Sequence, residues 1–305
     1  MITRWAMSGE YDRRIKGIIP AMATPFSEDG EINENWLRAD LEHMIDAGVN
    51  GVVVGGSTGE GHTYTLDDHR LALGAAVEHA AGRIPVIAGI IVNSTRQAKK
   101  VTDAMADLDL AALQVTPTHY GGRPDDESTV KHFASIAQHS GRPVVVYNVI
   151  RHNLCSAELL THMVGEVDGI IGVKQSAEDL KLVADLVVGI GDRGVVLTAT
   201  DGLMYPSFAV GAQGAISAIL SAVPEMLVEL WNAVQNDDHA TGRDLHVKLL
   251  GIWNAISGAK MVANVKAAMS LQGREGGVPR APWRATEGEG KERIRKALVD
   301  AGVIT

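Results

Sequence analysis

Short runs of apolar, often β-branched residues recur along the chain from about residue 16 to 235. They read IKGIIPAM, NGVVVGG, IPVIAGIIV, AALQVTP, RPVVVYNV, GIIGVKQ, GVVLTAT and QGAIS. Each has the length of a strand and is apolar on both faces, the mark of a buried parallel sheet. Between the runs, apolar residues fall three and four apart, as in Trp36, Leu37, Leu41, Met44 and Ile45, or Leu180, Leu182, Val183, Leu186 and Val187. That spacing predicts one buried face per helix. Asn33, Asp67 and Ser94 are suited to cap helix starts, and Gly48, Gly82 and Gly141 stand where helices hand over to the next strand.

Eight strand–helix units predict a parallel sheet closed into a (β/α)8 TIM barrel. An open doubly wound sheet is the alternative, but its edge strands would be of more mixed polarity. After residue 235 the pattern is purely helical, over 239–257, 259–271 and 289–301, with a connection GREGGVPRAPW. The expected organisation is a barrel over 1–235 and a C-terminal helical extension over 236–305.

Composition narrows the function. A formal charge of −9 and only 4% aromatic residues disfavour a nucleic-acid partner. Apart from a single cysteine, Cys155, there is no thiol, so neither an internal disulfide nor a cysteine metal site can form. A buried thiol without a catalytic role is the expectation for it. No apolar run reaches the length of a membrane span, and the first residues, MITRWAMSGEYDRR, lack an apolar signal core. The expectation is a soluble, cytoplasmic enzyme with no membrane partner, in which the Asn93-Ser94-Thr95 glycosylation pattern is a chance match.

In such barrels chemistry sits at the C-terminal ends of the strands. Polar residues there are Thr24 after strand one, Ser57, Thr58 and Glu60 after strand two, Thr116 to Tyr120 after strand four, Tyr147 and Asn148 at strand five, and Lys174 at strand six. A lone strand-end lysine is more often a solvated loop residue. Lys174, however, ends the dry run Ile170, Ile171, Val173, and desolvation favours a neutral amine that can attack a carbonyl to form a Schiff base. Tyr147 lies at the same end of the preceding strand, where its phenol could move protons. The glycine-flanked Ser57-Thr58 pair offers hydroxyls and backbone N–H groups to a small carboxylate. No His-Glu-x-x-His pattern or carboxylate cluster at metal spacing is present, and Gly211 and Gly214 have apolar neighbours suited to close backbone packing rather than to a phosphate site.

Taken in order, Gly17…Pro20…Thr24-Pro25-Phe26, Gly56-Ser57-Thr58-Gly59-Glu60, Tyr147-Asn148, Gly172-Val173-Lys174, Asp201…Pro206…Gly211-Ala212-Gln213-Gly214-Ala215-Ile216-Ser217 and Lys266-Ala267-Ala268…Arg280-Ala281-Pro282 resemble the dihydrodipicolinate synthase/N-acetylneuraminate lyase superfamily of class I pyruvate-dependent aldolases and lyases. The resemblance covers nearly the whole chain. It implies a homotetramer built as a dimer of dimers, a 2-keto acid as the small-molecule partner, and no metal or organic cofactor. It assigns Lys174 as the imine-forming lysine and Tyr147 as the proton shuttle. It assigns Ser57 and Thr58 to the keto-acid carboxylate, with Thr58 also relaying to Tyr147, and Ile216 to the pyruvate pocket.

The chain departs from the synthase pattern in two loops. His119 stands where the second tyrosine of Thr-Pro-Tyr-Tyr is usual, with Tyr120 one step later. His152, next to Arg151, replaces the arginine five residues after the strand-five tyrosine, and Ile150 replaces a proline. His119, Tyr120, Arg151 and His152 are therefore the candidates for choosing the second substrate. The expected activity is a lyase making or breaking a carbon–carbon bond on pyruvate or a longer 2-keto acid. The alternatives are a dehydratase of a 2-keto-3-deoxy sugar acid using the same imine, and a non-catalytic keto-acid-binding paralogue. A phosphate-binding barrel isomerase is disfavoured, because no basic glycine-rich loop follows strands seven or eight.

Overall fold

The computed structural model describes residues 15–122 and 124–305. Strands and helices alternate as β1 (Gly17–Ile18), α1 (Glu34–Asp46), β2 (Val52–Val54), α2 (Leu66–Ala80), β3 (Val86–Ile90), α3 (Thr95–Ala104), β4 (Ala112–Val115), α4 (Asp126–Ser140), β5 (Val144–Asn148), α5 (Ala157–Glu166), β6 (Ile170–Gln175), α6 (Leu180–Ile190), β7 (Val195–Thr198), α7 (Met204–Ala209) and β8 (Gly214–Ala215). The helices α8 (Ile219–Ala222), α9 (Pro224–Gln235), α10 (His239–Ile256), α11 (Met261–Leu271) and α12 (Gly288–Ala301) follow. The segment MITRWAMSGEYDRR read above lies outside the described residues.

All strand pairs are parallel, in the order β1-β8-β7-β6-β5-β4-β3-β2. The two ends of that order meet where Ala21 bridges Val53 and the Met22 N–H donates to the Val53 carbonyl at 3.0 Å. The sheet is thus closed, and the open doubly wound alternative is set aside. Every expected run contains a strand, but β1 and β8 are only two residues long. Pro20 has no N–H to continue the β1 ladder. At Gly214 an added Cβ would lie 2.2 Å from the Gly17 carbonyl oxygen, so only glycine allows the two backbones to meet there.

Alternation sends Ile19, Val53, Ile87, Ala112, Val145 and Ile216 into the barrel, while their neighbours pack outward under the helices. β6 breaks simple alternation. Its pairing with β5 shifts between Val144 and Val145, so that Ile170 faces Val144 but Gly172 faces Val145. Ile171 points inward and Val173 outward. The extra residue resets the phase so that Lys174, three positions after Ile171, faces the interior beside Tyr147.

Asn33 and Ser94 cap α1 and α3 by accepting from the Trp36 and Gln97 N–H groups at 3.1 Å. The expected cap Asp67 is not one. Thr65 takes the role, accepting from Asp68 N–H at 3.1 Å while the Asp68 carboxylate accepts from Thr65 N–H at 2.8 Å. That reciprocal box satisfies two end donors where Asp67 would satisfy one. The last three helices agree with their expected ranges to within two residues. Three ion pairs tie the C-terminal segment back onto the barrel: Arg274–Asp40 at 2.6 Å, Lys266–Glu60 at 2.7 Å and Arg280–Asp68 at 3.0 Å. Among the described residues no helix is long and apolar enough to cross a membrane.

Candidate active site

β5 and β6 bring the two central side chains together. Tyr147 and Lys174 are register partners, and the Lys174 Nζ lies 3.7 Å from the centroid of the Tyr147 ring. Lys174 is only 2% exposed. Burial lowers its pKa below the ordinary lysine value, and contact with Tyr147 and the charge of Asp201 oppose that shift without reversing it. Asp201, just beyond β7, accepts from the Ile219 N–H at 2.8 Å, and burial pushes its own pKa up to about 6. The site therefore holds an amine that gives up its proton more readily than an ordinary lysine, against a tyrosine ring and with the Asp201 carboxylate within electrostatic reach.

The loop after β2 supplies the hydroxyls. Tyr147 Oη donates to Ser57 Oγ at 3.4 Å, so the contact present is to Ser57, where the sequence reading places the relay at Thr58. Thr58 is buried in the same turn. The turn is held by backbone bonds from Glu60 N–H to the Ser57 carbonyl at 3.1 Å and from Gly61 N–H to the Gly56 carbonyl at 3.0 Å. A Cβ on Gly61 would fall 1.7 Å from the Gly55 carbonyl oxygen, which is why the loop closes this tightly only through glycine. Tyr64 donates to Thr24 Oγ1 at 2.5 Å, and Thr24 in turn donates to the Gly59 carbonyl at 2.7 Å. Strand one's Thr24 thus braces the loop that strand two's end begins.

The remaining predicted residues are spread more widely. Ile216 is fully buried inside the barrel. His119 lies after β4, where Asn93 holds the loop: its Oδ1 accepts from the His119 and Tyr120 N–H groups at 3.0 and 2.8 Å, and its Nδ2 donates to His119 Nε2 at 3.0 Å. Burial, with His62 and His152 nearby, keeps the His119 pKa below the ordinary histidine value. Arg151 and His152 are exposed on a short 3-10 turn, and the Tyr120 side chain is 86% exposed. The structure thus gathers Lys174, Tyr147 and Ser57, and leaves Tyr120, Arg151 and His152 on the chain's surface. Cys155 is buried, and its N–H donates to Asn148 Oδ1 at 2.9 Å.

The sequence reading assigned no role to Asp201, Thr24, Tyr64 or Gln114. Gln114 is a fully buried amide whose Nε2 would lie 3.5 Å from a Cβ on Gly56, and neither end of its amide has a protein partner. One signal was available: Gln114 is the single polar residue in the apolar run AALQV.

Comparison with known proteins agrees with this geometry. The family model described as the dihydrodipicolinate synthetase family matches residues 14–301. The 4-hydroxy-tetrahydrodipicolinate synthase of Methanopyrus kandleri is 35% identical over 295 residues, covering 95% of this chain and 98% of that protein. The crystal structure of the chloride-inhibited dihydrodipicolinate synthase of Acinetobacter baumannii complexed with pyruvate superposes with a TM-score of 0.88 at 28% identity, covering 95% of this chain and all (100%) of that one. YagE, a prophage protein from E. coli K12, has the same fold, with a TM-score of 0.90 at 22% identity over 95% of this chain and 99% of its own. With a buried lysine paired with a tyrosine at the strand ends of a (β/α)8 barrel and this family match over nearly its whole length, the chain belongs to the dihydrodipicolinate synthetase family and is a lyase of its pyruvate-dependent class.

Proposed function

We propose that Lys174 attacks the C2 carbonyl of pyruvate or a longer 2-keto acid and, with loss of water, forms an iminium. The iminium draws electrons from C3. Loss of a C3 proton gives an enamine that adds to an aldehyde carbonyl; run backwards, the same steps cleave a 2-keto acid carrying a hydroxyl at C4. Tyr147 carries the protons, with Ser57 as the hydroxyl nearest to hand and Thr58 beside it. Ser57, Thr58 and the N–H groups of their turn hold the keto-acid carboxylate, and Ile216 lines the pocket. His119, Tyr120, Arg151 and His152 choose the second reactant.

The single observation carrying this reading is the buried Lys174 amine at the strand ends, 3.7 Å from the ring of Tyr147, whose hydroxyl donates to Ser57. Pyruvate as the reactant is supported by the Acinetobacter relative, which was solved with it. A homotetramer of paired dimers in the cytoplasm follows from the family resemblance. A second copy would also give the exposed Tyr120 ring a surface to cover it.

The test is borohydride reduction in the presence of pyruvate, with peptide mapping by mass spectrometry. A reduced pyruvate adduct on Lys174 is expected, and an unlabelled Lys174 refutes the mechanism. Running the same trap over a panel of aldehydes and 2-keto acids identifies the second substrate. Labelling without exchange of the C3 protons of pyruvate would instead favour a binding protein that has lost turnover.

A further inference from the structure

Glu60 sits two residues beyond Thr58 in a left-handed backbone conformation, φ 57°, that a non-glycine residue adopts at a cost of about 1 kcal/mol. Something must hold it there. Its carboxylate is 2% exposed and both oxygens are engaged: Oε1 accepts from Lys266 Nζ at 2.7 Å and Oε2 from the Arg280 N–H at 2.9 Å. Lys266 also donates to the Val278 carbonyl at 2.7 Å and lies 4.7 Å from the Phe26 ring centroid, and the Arg280 guanidinium covers the same ring at 4.3 Å. Phe26 in turn bridges to Val278. A charge pair this deeply buried gains little net stability over an apolar pair of the same size. Its return lies in geometry, because it fixes where one end of the Ser57-Thr58 turn stands.

Resting on the reading that this turn holds the keto-acid carboxylate, we propose that the buried Glu60–Lys266 pair, contributed in part by the C-terminal segment, positions the substrate-binding turn of the barrel. Glu60 and Lys266 are then positioning residues: they touch no substrate and act through Ser57 and Thr58. Arg274–Asp40 is the natural comparison, a largely buried pair at 2.6 Å that joins the same C-terminal segment to α1, away from the turn.

The experiment measures how the rate of borohydride trapping at Lys174 depends on pyruvate concentration, alongside the thermal midpoint. It uses the full-length protein and the variants K266M, E60Q/K266M and R274M. The double variant removes both charges together, so it stays informative if K266M alone, with its unpaired buried carboxylate, does not fold. The expected result is half-saturating pyruvate raised about tenfold or more in K266M and in the double variant, with the maximal trapping rate changed far less, because a displaced binding group costs affinity steeply. R274M should lower the thermal midpoint while leaving half-saturation within about twofold. The proposal is overturned if the Lys266 variants trap like the unmodified protein, or if R274M shifts half-saturation as much as they do. Absence of any adduct in the unmodified protein refutes the Schiff-base reading instead.

Discussion

Replacing Lys174 with methionine separates chemistry from stability. Trapping and turnover should vanish, yet the folded protein should gain stability at neutral pH. The amine is buried in the barrel, and burial depresses its pKa below the ordinary lysine value. A lysine that is harder to protonate folded than unfolded opposes folding wherever the unfolded chain is charged. The unfolded form binds the extra proton from the depressed folded pKa up to about 10.4, so the unmodified protein grows more stable with rising pH across that window. Methionine has a similar length and no proton to lose. The advantage of K174M should therefore be constant below the folded pKa of Lys174, shrink by about 1.4 kcal/mol per pH unit above it, and disappear above about pH 10.4. Urea unfolding of both proteins at fixed concentration, from pH 7 to pH 10, reads this directly. If K174M is the less stable protein at pH 7, or if the difference does not change with pH, then the Tyr147 contact and the Asp201 charge outweigh desolvation and the account of the neutral amine fails.

Tyr147→Phe should keep the Lys174 adduct but slow C3 proton exchange on pyruvate about 10²–10⁴-fold, because in the proposed mechanism the phenol moves protons and does not form the imine; exchange at the unmodified rate assigns the shuttle elsewhere. His69 and His132 are buried, and desolvation holds both near pKa 4, below the ordinary histidine value of 6.5. Both contribute stability that is full above pH 6.5 and is lost as pH falls toward 4, each on the order of 2–3 kcal/mol. Asp201, raised to about 6, acts in the opposite sense over that range. Thermal midpoints of the unmodified protein and of H69Q/H132Q at pH 7 and pH 4.5 isolate the two histidines. The unmodified protein should lose more on acidification, and an equal loss in both proteins sinks this assignment.

Continuous apolar runs and the period-3.6 pattern were enough to place the eight strands and the helices after residue 235, because buried parallel strands must be apolar on both faces and helices must hide one side. Lys174 was legible for the same reason: a charge at the end of IIGV contradicts its surroundings and calls for a chemical use. Three features lay beyond the apolar pattern, two of them set by contacts between separate segments. The phase of Lys174 depends on the register shift between β5 and β6, which needs two strands to exist. The turn that carries Ser57 and Thr58 is braced by Thr24 and Tyr64 and closed by Lys266, 206 residues from Glu60 along the chain. The cap of α2 fell to Thr65 rather than Asp67 because hydrogen-bond geometry, not residue type, chooses between neighbouring candidates. A sequence displays which side chains are costly to bury. Which partners make the burial tolerable depends on contacts between distant segments, and those exist only once the barrel has closed.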